Sequence, residues 1–160
     1  MASEDGMQLM AFEAYCDAVA EGRWPESPRV PLPPAFVNDA GEIQNLLLHP
    51  AAQSTAIIKS HARAVRANHF HKTDWHFAYV VSGALLYFER AVGDVTISAK
   101  PLWFGTGSMF FTPPMREHAM LFTQETAILT MARNVRSHAA HEEDVVRVEY
   151  VTPDVAPRYL

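Results

Sequence analysis

Residues 66–76 read RANHFHKTDWH and contain His69, His71 and His76, in a chain of 160 residues with eight histidines. Side chains alternate between the two faces of a β-strand, so His69 and His71 point to the same side of a strand that holds both. Two imidazoles on one face form a ready bidentate metal site, and His76 can reach it after a short turn. These residues therefore predict a strand with histidines on one face.

A second stretch, GSMFFTPPMREH at residues 107–118, ends in a further histidine, His118. The spacings within the two stretches resemble the two motifs of the cupin superfamily. The first motif is matched by His69-x-His71, then His76 after four residues, then Gly83 seven residues later. The second is matched from Gly107 through Pro113 to His118. The resemblance covers roughly residues 55–132 and implies an all-β fold, the cupin jelly-roll β-barrel.

The chain departs from the usual motif residues at three positions. His76 stands where the family usually has Glu, Met115 where it usually has Gly, and Phe122 where it usually has Asn. Substituting His for Glu keeps a potential ligand and removes a negative charge.

The resemblance implies one divalent transition metal ion on His69, His71, His76 and His118. Imidazole suits zinc, copper, iron and nickel better than magnesium or calcium. We favour zinc or iron over nickel, manganese or copper. Several alternatives stay open: Asp74 substitutes for one nitrogen, or His76 is a core histidine. A further alternative is that His69 and His71 are metal-free acid–base groups or structural residues. The remaining histidines lie outside both motifs and are interpreted as surface or loop residues: His49, His61, His138 and His141.

The N-terminal part of the chain differs in texture from the rest. Residues 7–21 predict one helix, because Leu9, Phe12, Cys16 and Val19 recur at steps of three and four. Gly22 supplies a C-terminal stop. Residues 25–34 are rich in proline and predict an extended connector. We divide the chain into this preface (residues 1–42), a cupin domain (43–150) and an extended surface tail (151–160).

Short runs of β-branched and aromatic residues alternate with turn signals from residue 43 onward, which predicts a barrel or jelly roll. Predicted strands are 43–48, 54–60, 63–71, 75–82, 84–90, 94–99, 108–112, 117–122 and 125–132.

Composition excludes several classes of protein. The formal net charge of −5 argues against a general nucleic-acid binder, which needs a basic face. The single cysteine, Cys16, allows no disulfide within the chain. The N-terminus lacks the pattern of a signal peptide, and no apolar run approaches the roughly 18 residues of a membrane span. We expect a cytoplasmic protein, and a homodimer formed through sheet edges, the N-terminal helix or the proline segment.

A finer resemblance concerns function. The segments RANHFHK and FFTPPMREHAMLFTQETAILTMARN look like cupins of sugar-nucleotide and polysaccharide pathways, which include sugar 3,4-ketoisomerases and 3,5-epimerases. This implies an isomerase or epimerase acting on a small molecule, in this case a keto-sugar nucleotide. Such a reaction needs a base beside a carbonyl and stabilisation of the enolate oxygen.

We assign catalytic roles to His69, His71 and Tyr79, and substrate binding to Arg66, Lys72 and Tyr87. Packing is the alternative role for the two tyrosines, and a solvated rim charge is the alternative for Arg66 and Lys72. A cupin dioxygenase using iron(II) and a non-catalytic ligand-binding cupin are the alternative functions.

Overall fold

A computed structural model of the chain describes residues 3–48, 51–95 and 100–160. It begins with helix α1 (Glu4–Ala20), whose N-cap Ser3 accepts a hydrogen bond from the Gly6 amide. This cap explains why the helix starts earlier than predicted. The helix buries Phe12, Tyr15, Cys16 and Val19.

The predicted contact face was wrong at one position. Leu9 is 42% exposed, and its neighbours Met7 and Met10 are more exposed still. Contact between the helix and the barrel therefore begins at Phe12.

Strands dominate the rest of the described chain. They are β1 (Phe36–Asn38), β2 (Gly41–Ile43), β3 (Ser54–Ser60), β4 (Val65–His71), β5 (His76–Ser82), β6 (Ala84–Ala91), β7 (Leu102–Gly105), β8 (Met109–Thr112), β9 (Arg116–Phe122), β10 (Thr126–Ala132) and β11 (Val145–Arg147). Helix α2 (His138–Asp144) precedes β11, and a short 3-10 helix (Ala156–Arg158) lies near the C-terminus.

Within the described ranges, the strands form two facing antiparallel sheets and a separate β1–β2 hairpin. One sheet has four strands in the order β3-β10-β5-β8, and the other has five in the order β11-β4-β9-β6-β7. The all-β prediction is confirmed.

Most predicted strands are confirmed to within two residues at their ends. The prediction of a strand at 43–48 was wrong, since β2 ends at Ile43 and no strand follows before residue 49. The predicted strand at 94–99 lies mostly outside the described residues. His49 lies outside them as well. Residues 36–38, 102–105, 138–144 and 145–147 form elements that we did not predict.

Three layers of apolar contact hold the fold. Interior side chains of the two sheets pack together, among them Val80, Leu85, Phe110 and Phe122. Helix α1 covers the outer face of the four-stranded sheet.

The C-terminal segment covers the outer face of the five-stranded sheet. Val151 is 1% exposed, and it packs with Ala156 against Phe88 and Leu121. Residues 151–160 are therefore not the extended surface tail that we predicted, because the sheet beneath them is apolar on its outer face. The proposed division into three segments stays a prediction.

A β-bulge interrupts β4 just before the histidines. Ala67 and Asn68 have positive φ angles of 69° and 53°. The register with β9 shifts between Ala67 and His69, so that Arg66 pairs with Met120 and His69 pairs with His118. Paired residues share a face of the sheet, so the extra residue brings Arg66 and His69 to the same side.

No helix within the described ranges is long and apolar enough to cross a membrane.

Candidate functional site

The four predicted histidines converge inside the barrel. His69 and His71 lie on β4 and His118 on β9, with ring centroids 4.8 Å apart for His69 and His71, and 4.8 Å for His69 and His118. His76 reaches them from β5, with its ring 5.6 Å from His71 and 5.5 Å from His118. In the described residues, possible ligand atoms of His69, His71 and His118 all lie within 4.8 Å of one another.

A fifth histidine, His141, joins this cluster, although we interpreted it as a surface or loop residue. Its ring lies 6.0 Å from His69 and 5.7 Å from His71. It is placed by helix α2, whose N-cap Ser137 accepts a hydrogen bond from the Ala140 amide. The sequence SHAAHEED carries this capping signal, which could have revealed the helix.

His71 is oriented by a carboxylate that sequence reasoning missed. Its Nδ1 lies 3.0 Å from Oδ2 of Asp144, and Oδ1 of Asp144 accepts hydrogen bonds from the amide and hydroxyl of Thr73. A carboxylate accepts, so Nδ1 of His71 donates and Nε2 keeps a lone pair. Among the described side chains, this Nε2 is a buried nitrogen with no hydrogen-bond partner.

His118 has the same tautomer for a different reason. Its Nδ1 lies 3.2 Å from the carbonyl oxygen of Arg116, which can only accept. His118 therefore also directs the lone pair of Nε2 away from its partner.

His76 contacts a cation instead of an acceptor. Its Nδ1 lies 3.2 Å from Nη2 of Arg136, whose Nε donates to Oδ2 of Asp74 at 2.9 Å. Oδ1 of Asp74 accepts from the amide of Asn134. Asp74, which we considered as a ligand in the histidine cluster, is thus engaged by Arg136.

Burial keeps these imidazoles neutral. Desolvation is the largest cause, and it lowers the pKa of His69, His71 and His118 to about 3 each. The pKa of His76 is also well below its usual value, through burial and then the charge of Arg136. A metal ligand must be deprotonated, so the donor set fits a transition metal ion at neutral pH.

The histidines line a cavity of about 190 Å³. Ile58, Met120 and Ile128 give it an apolar wall, and Arg66 stands at its exposed rim. Nε of Arg66 donates to the hydroxyl of Ser60 at 2.7 Å, which fixes the guanidinium beside the opening.

The structure does not bring the other predicted site residues to this cavity. Tyr79 packs against the apolar side chains under helix α1, on the outer face of the four-stranded sheet. It points away from the cavity because it lies on the opposite face of β5 from His76. Lys72 is exposed, and its ammonium donates to the carbonyl of Glu143. Tyr87 is buried in the barrel interior, with its hydroxyl 2.8 Å from that of Thr112 and its ring 6.4 Å from His118.

No protein-family model matches the chain, and a comparison with curated proteins finds no match either. Solved structures do match. A double mutant of the QdtA 3,4-ketoisomerase from Thermoanaerobacterium thermosaccharolyticum, in complex with TDP, is 15% identical with a TM-score of 0.58, over 79% of this chain and 92% of that one.

Two epimerases match over similar shares. The dTDP-4-dehydrorhamnose 3,5-epimerase from Sulfolobus tokodaii is 14% identical with a TM-score of 0.60, covering 74% of this chain and 75% of that one. ChmJ, a 3'-monoepimerase from Streptomyces bikiniensis in complex with dTDP-quinovose, is 13% identical with a TM-score of 0.62, covering 78% and 70%. The chain has the cupin fold.

The second motif-like stretch of this chain keeps a backbone conformation that suits the usual glycine, despite its changed residue. Met115 stands where the family usually has Gly, and it has a φ of 56°. That left-handed conformation is the one glycine adopts without steric cost. The turn into β9 therefore survives the substitution and still places His118 in the barrel.

Proposed function

We propose that this cupin binds one divalent transition metal ion through His69, His71 and His118. The observation that carries the proposal is the buried, unpartnered Nε2 of His71, whose Nδ1 is held by Asp144. A carboxylate behind a ligating imidazole is the usual outer-shell arrangement at metal sites. An unpaired buried nitrogen is costly, and an ion would satisfy it.

Elemental analysis of protein purified without chelator tests this proposal. We expect about one transition metal ion per chain, and a rise in Tm when zinc is added to metal-free protein. His71→Gln should abolish both effects. His61→Gln is the matched control, since the His61 side chain is 93% exposed and lies against Glu125. A metal-free protein that gains no stability with zinc, iron, nickel, manganese or copper would contradict the proposal.

We further infer that the reaction is an isomerisation or epimerisation beside the carbonyl of a keto-sugar nucleotide. The support is the shared fold with proteins named as ketoisomerases and epimerases. In such a reaction a base removes a proton from the carbon next to the carbonyl, and the electron pair moves onto oxygen as an enolate. Return of a proton to the opposite face of the same carbon gives the epimer. Return of a proton to the former carbonyl carbon gives the ketoisomer, in which the neighbouring hydroxyl loses its proton to become the new carbonyl and the former carbonyl oxygen gains one, with no net oxidation.

The residues of the cavity suit this chemistry. His69 and His71 remain our candidates for the base if the ion is absent, although burial makes them weaker bases than an exposed histidine. A bound ion would stabilise the negative charge on the enolate oxygen. The cavity of about 190 Å³ is smaller than the roughly 300–1,000 Å³ of typical ligand pockets, so we expect the sugar to enter it and the nucleotide to lie outside. Arg66 at the rim is suited to a phosphate group.

Incubation with a 4-keto-6-deoxy sugar nucleotide in deuterated water tests the reaction. We expect deuterium beside the carbonyl without any need for oxygen, and loss of exchange in His69→Gln. Turnover that consumes oxygen with a dicarbonyl substrate and requires iron(II) would instead establish the dioxygenase. Failure of both assays would leave a non-catalytic binding protein. Mass spectrometry of the molecules that co-purify with it would then identify its ligand.

A further inference from the structure

The hydrogen bond between His76 and Arg136 determines where the proton of that imidazole sits. A guanidinium has donors only and stays protonated, so it cannot accept a proton from Nδ1 of His76 at 3.2 Å. Nδ1 must therefore be the acceptor. A neutral imidazole carries one N–H, which places the hydrogen of His76 on Nε2.

Arg136 is held so that it cannot easily turn away from this contact. Its Nε donates to Asp74, a carboxylate that is 2% exposed and that also accepts from the Asn134 amide. Loss of Arg136 from this position would leave a buried charge unpaired, which is strongly unfavourable. The chain Asp74–Arg136–His76 thus fixes both the ring and its tautomer.

His71 provides the contrast within the same cluster. Its Nδ1 faces the Asp144 carboxylate, so its Nε2 offers a lone pair. His76 faces a cation, so its Nε2 offers a hydrogen. The two rings lie 5.6 Å apart and line one cavity, yet they present opposite hydrogen-bonding groups.

We propose that His76 is a hydrogen-bond donor to the substrate and does not serve as a fourth metal ligand. A nitrogen that carries hydrogen has no lone pair to give to an ion, and a switch of tautomer would set Nδ1–H against the donors of Arg136. His76 stands on β5, in the sheet that faces β4 and β9, so its Nε2–H meets a molecule bound against His69, His71 and His118 from the opposite wall.

The acceptor is an oxygen that gains negative charge. In the proposed reaction, this acceptor is the carbonyl oxygen of the substrate, which becomes the enolate oxygen. Only this identification of the acceptor rests on the proposed reaction. The Nε2–H bond strengthens as the electron pair moves onto that oxygen, and no proton needs to leave His76. The positive charge of Arg136 behind the ring favours the same build-up of charge.

Nuclear magnetic resonance of protein labelled with ¹⁵N-histidine tests the tautomer directly, without substrate. We expect the hydrogen of His76 on Nε2 in metal-free protein, with Nδ1 unprotonated, and the same pattern after zinc is added. The signals of His71 and His118 should shift on addition of zinc. Hydrogen on Nδ1 of His76, or a zinc-induced shift typical of a ligating nitrogen of His76, would overturn the inference.

Zinc affinity separates ligands from neighbours. His118→Gln should weaken zinc binding by more than about 100-fold, the upper end of what an outer-shell change costs, and His76→Gln by less than about 10-fold, its lower end. Equal losses in the two variants would make His76 a ligand and refute the proposal.

The exchange assay then tests the donor role. His76→Gln keeps an N–H and His76→Leu does not, so exchange should fall by about 100-fold more in the leucine variant at equal zinc content. Equal rates would refute this role. A correct tautomer in a protein that exchanges no keto-sugar would count against the proposed reaction alone. A correct tautomer in a protein that binds no zinc would count against the metal site alone.

Discussion

Asp144 determines which nitrogen of His71 faces the cavity, and it does so from about seventy residues further along the chain. We predict that Asp144→Asn weakens zinc binding by about 10- to 100-fold, because the amide no longer favours Nδ1–H in His71. The asparagine oxygen can still accept from Thr73, so the loop should stay folded. Zinc titration against a competing chelator measures the effect. Glu143→Gln, one position earlier and exposed, is the control; an equal loss there would contradict the assignment.

The buried histidines also make a prediction for the dependence of stability on pH. Burial lowers the pKa of His69, His71 and His118 to about 3, whereas an unfolded histidine titrates near 6.5. The unfolded state therefore binds more protons between these values. The stabilisation that comes from keeping these histidines neutral is fully present above about pH 6.5. As pH falls below that value, the free energy of unfolding decreases by up to about 1.4 kcal/mol per pH unit for each histidine.

Denaturant unfolding of metal-free protein at pH 7.5, 6 and 5 checks this expectation. The free energy of unfolding should fall with pH, and the slope should be shallower in His69→Gln. A free energy that is constant over this range would show that the histidines are not buried in the neutral form.

Sequence reasoning could find the histidines on β4, β5 and β9 because their spacing follows from strand alternation and two local motifs. It could not find Asp144, Arg136 or His141. These residues come from the segment around α2, and their contacts with β4 and β5 depend on the path of the chain after β10. A pattern within a short window carries no information about such a path.

At the scale of elements, the turn between β5 and β6 places Gly83 in close contact with the backbone of residues 125–126. A Cβ added there would clash with the Glu125 carbonyl oxygen and with Thr126, and φ is +87°. Gly93 has a similar φ of +79°, but nothing lies within 4 Å of an added Cβ.

We predict that Gly93→Ala costs about 1–2 kcal/mol, the price of a left-handed conformation alone. Gly83→Ala should cost roughly 1–3 kcal/mol more, because the backbone of the next turn must move. Urea unfolding of both variants measures the difference. Equal losses would show that the contact with residues 125–126 relaxes freely.

The bulge in β4 explains a spacing that a regular strand does not permit. Residues three apart lie on opposite faces of a strand, yet Arg66 and His69 both reach the cavity. The extra residue between Ala67 and His69 accounts for this. Neither Ala67 nor Asn68 indicates a positive φ as strongly as a glycine would, so the residue types alone do not predict the bulge.

At the scale of the whole molecule, helix α1 protects the outer face of the four-stranded sheet. Phe12 is fully buried between them, whereas Met10, on the same helix, is 63% exposed. We predict that Phe12→Ala lowers the free energy of unfolding by about 3–5 kcal/mol, and that Met10→Ala changes it by less than about 0.5 kcal/mol. Thermal unfolding measures both, and a similar result for the two variants would mean that the helix does not dock as described.

The barrel could be predicted because strand alternation and turn signals repeat along much of the chain. The coverings on its outer faces were harder to foresee. Val151 and Ala156 lie in a segment rich in proline and polar residues, and their burial depends on the apolar outer face of the five-stranded sheet. A cytoplasmic location and a homodimer stay predictions.

The distribution of the site between the two sheets has a consequence for how the molecule moves. All three proposed ligands lie on β4 and β9, in the five-stranded sheet, while His76 lies on β5 in the other. An ion alone would thus slow amide hydrogen exchange mainly in the five-stranded sheet. A molecule held between that ion and His76 would join the two walls, and would slow exchange in both sheets as one cooperative unit.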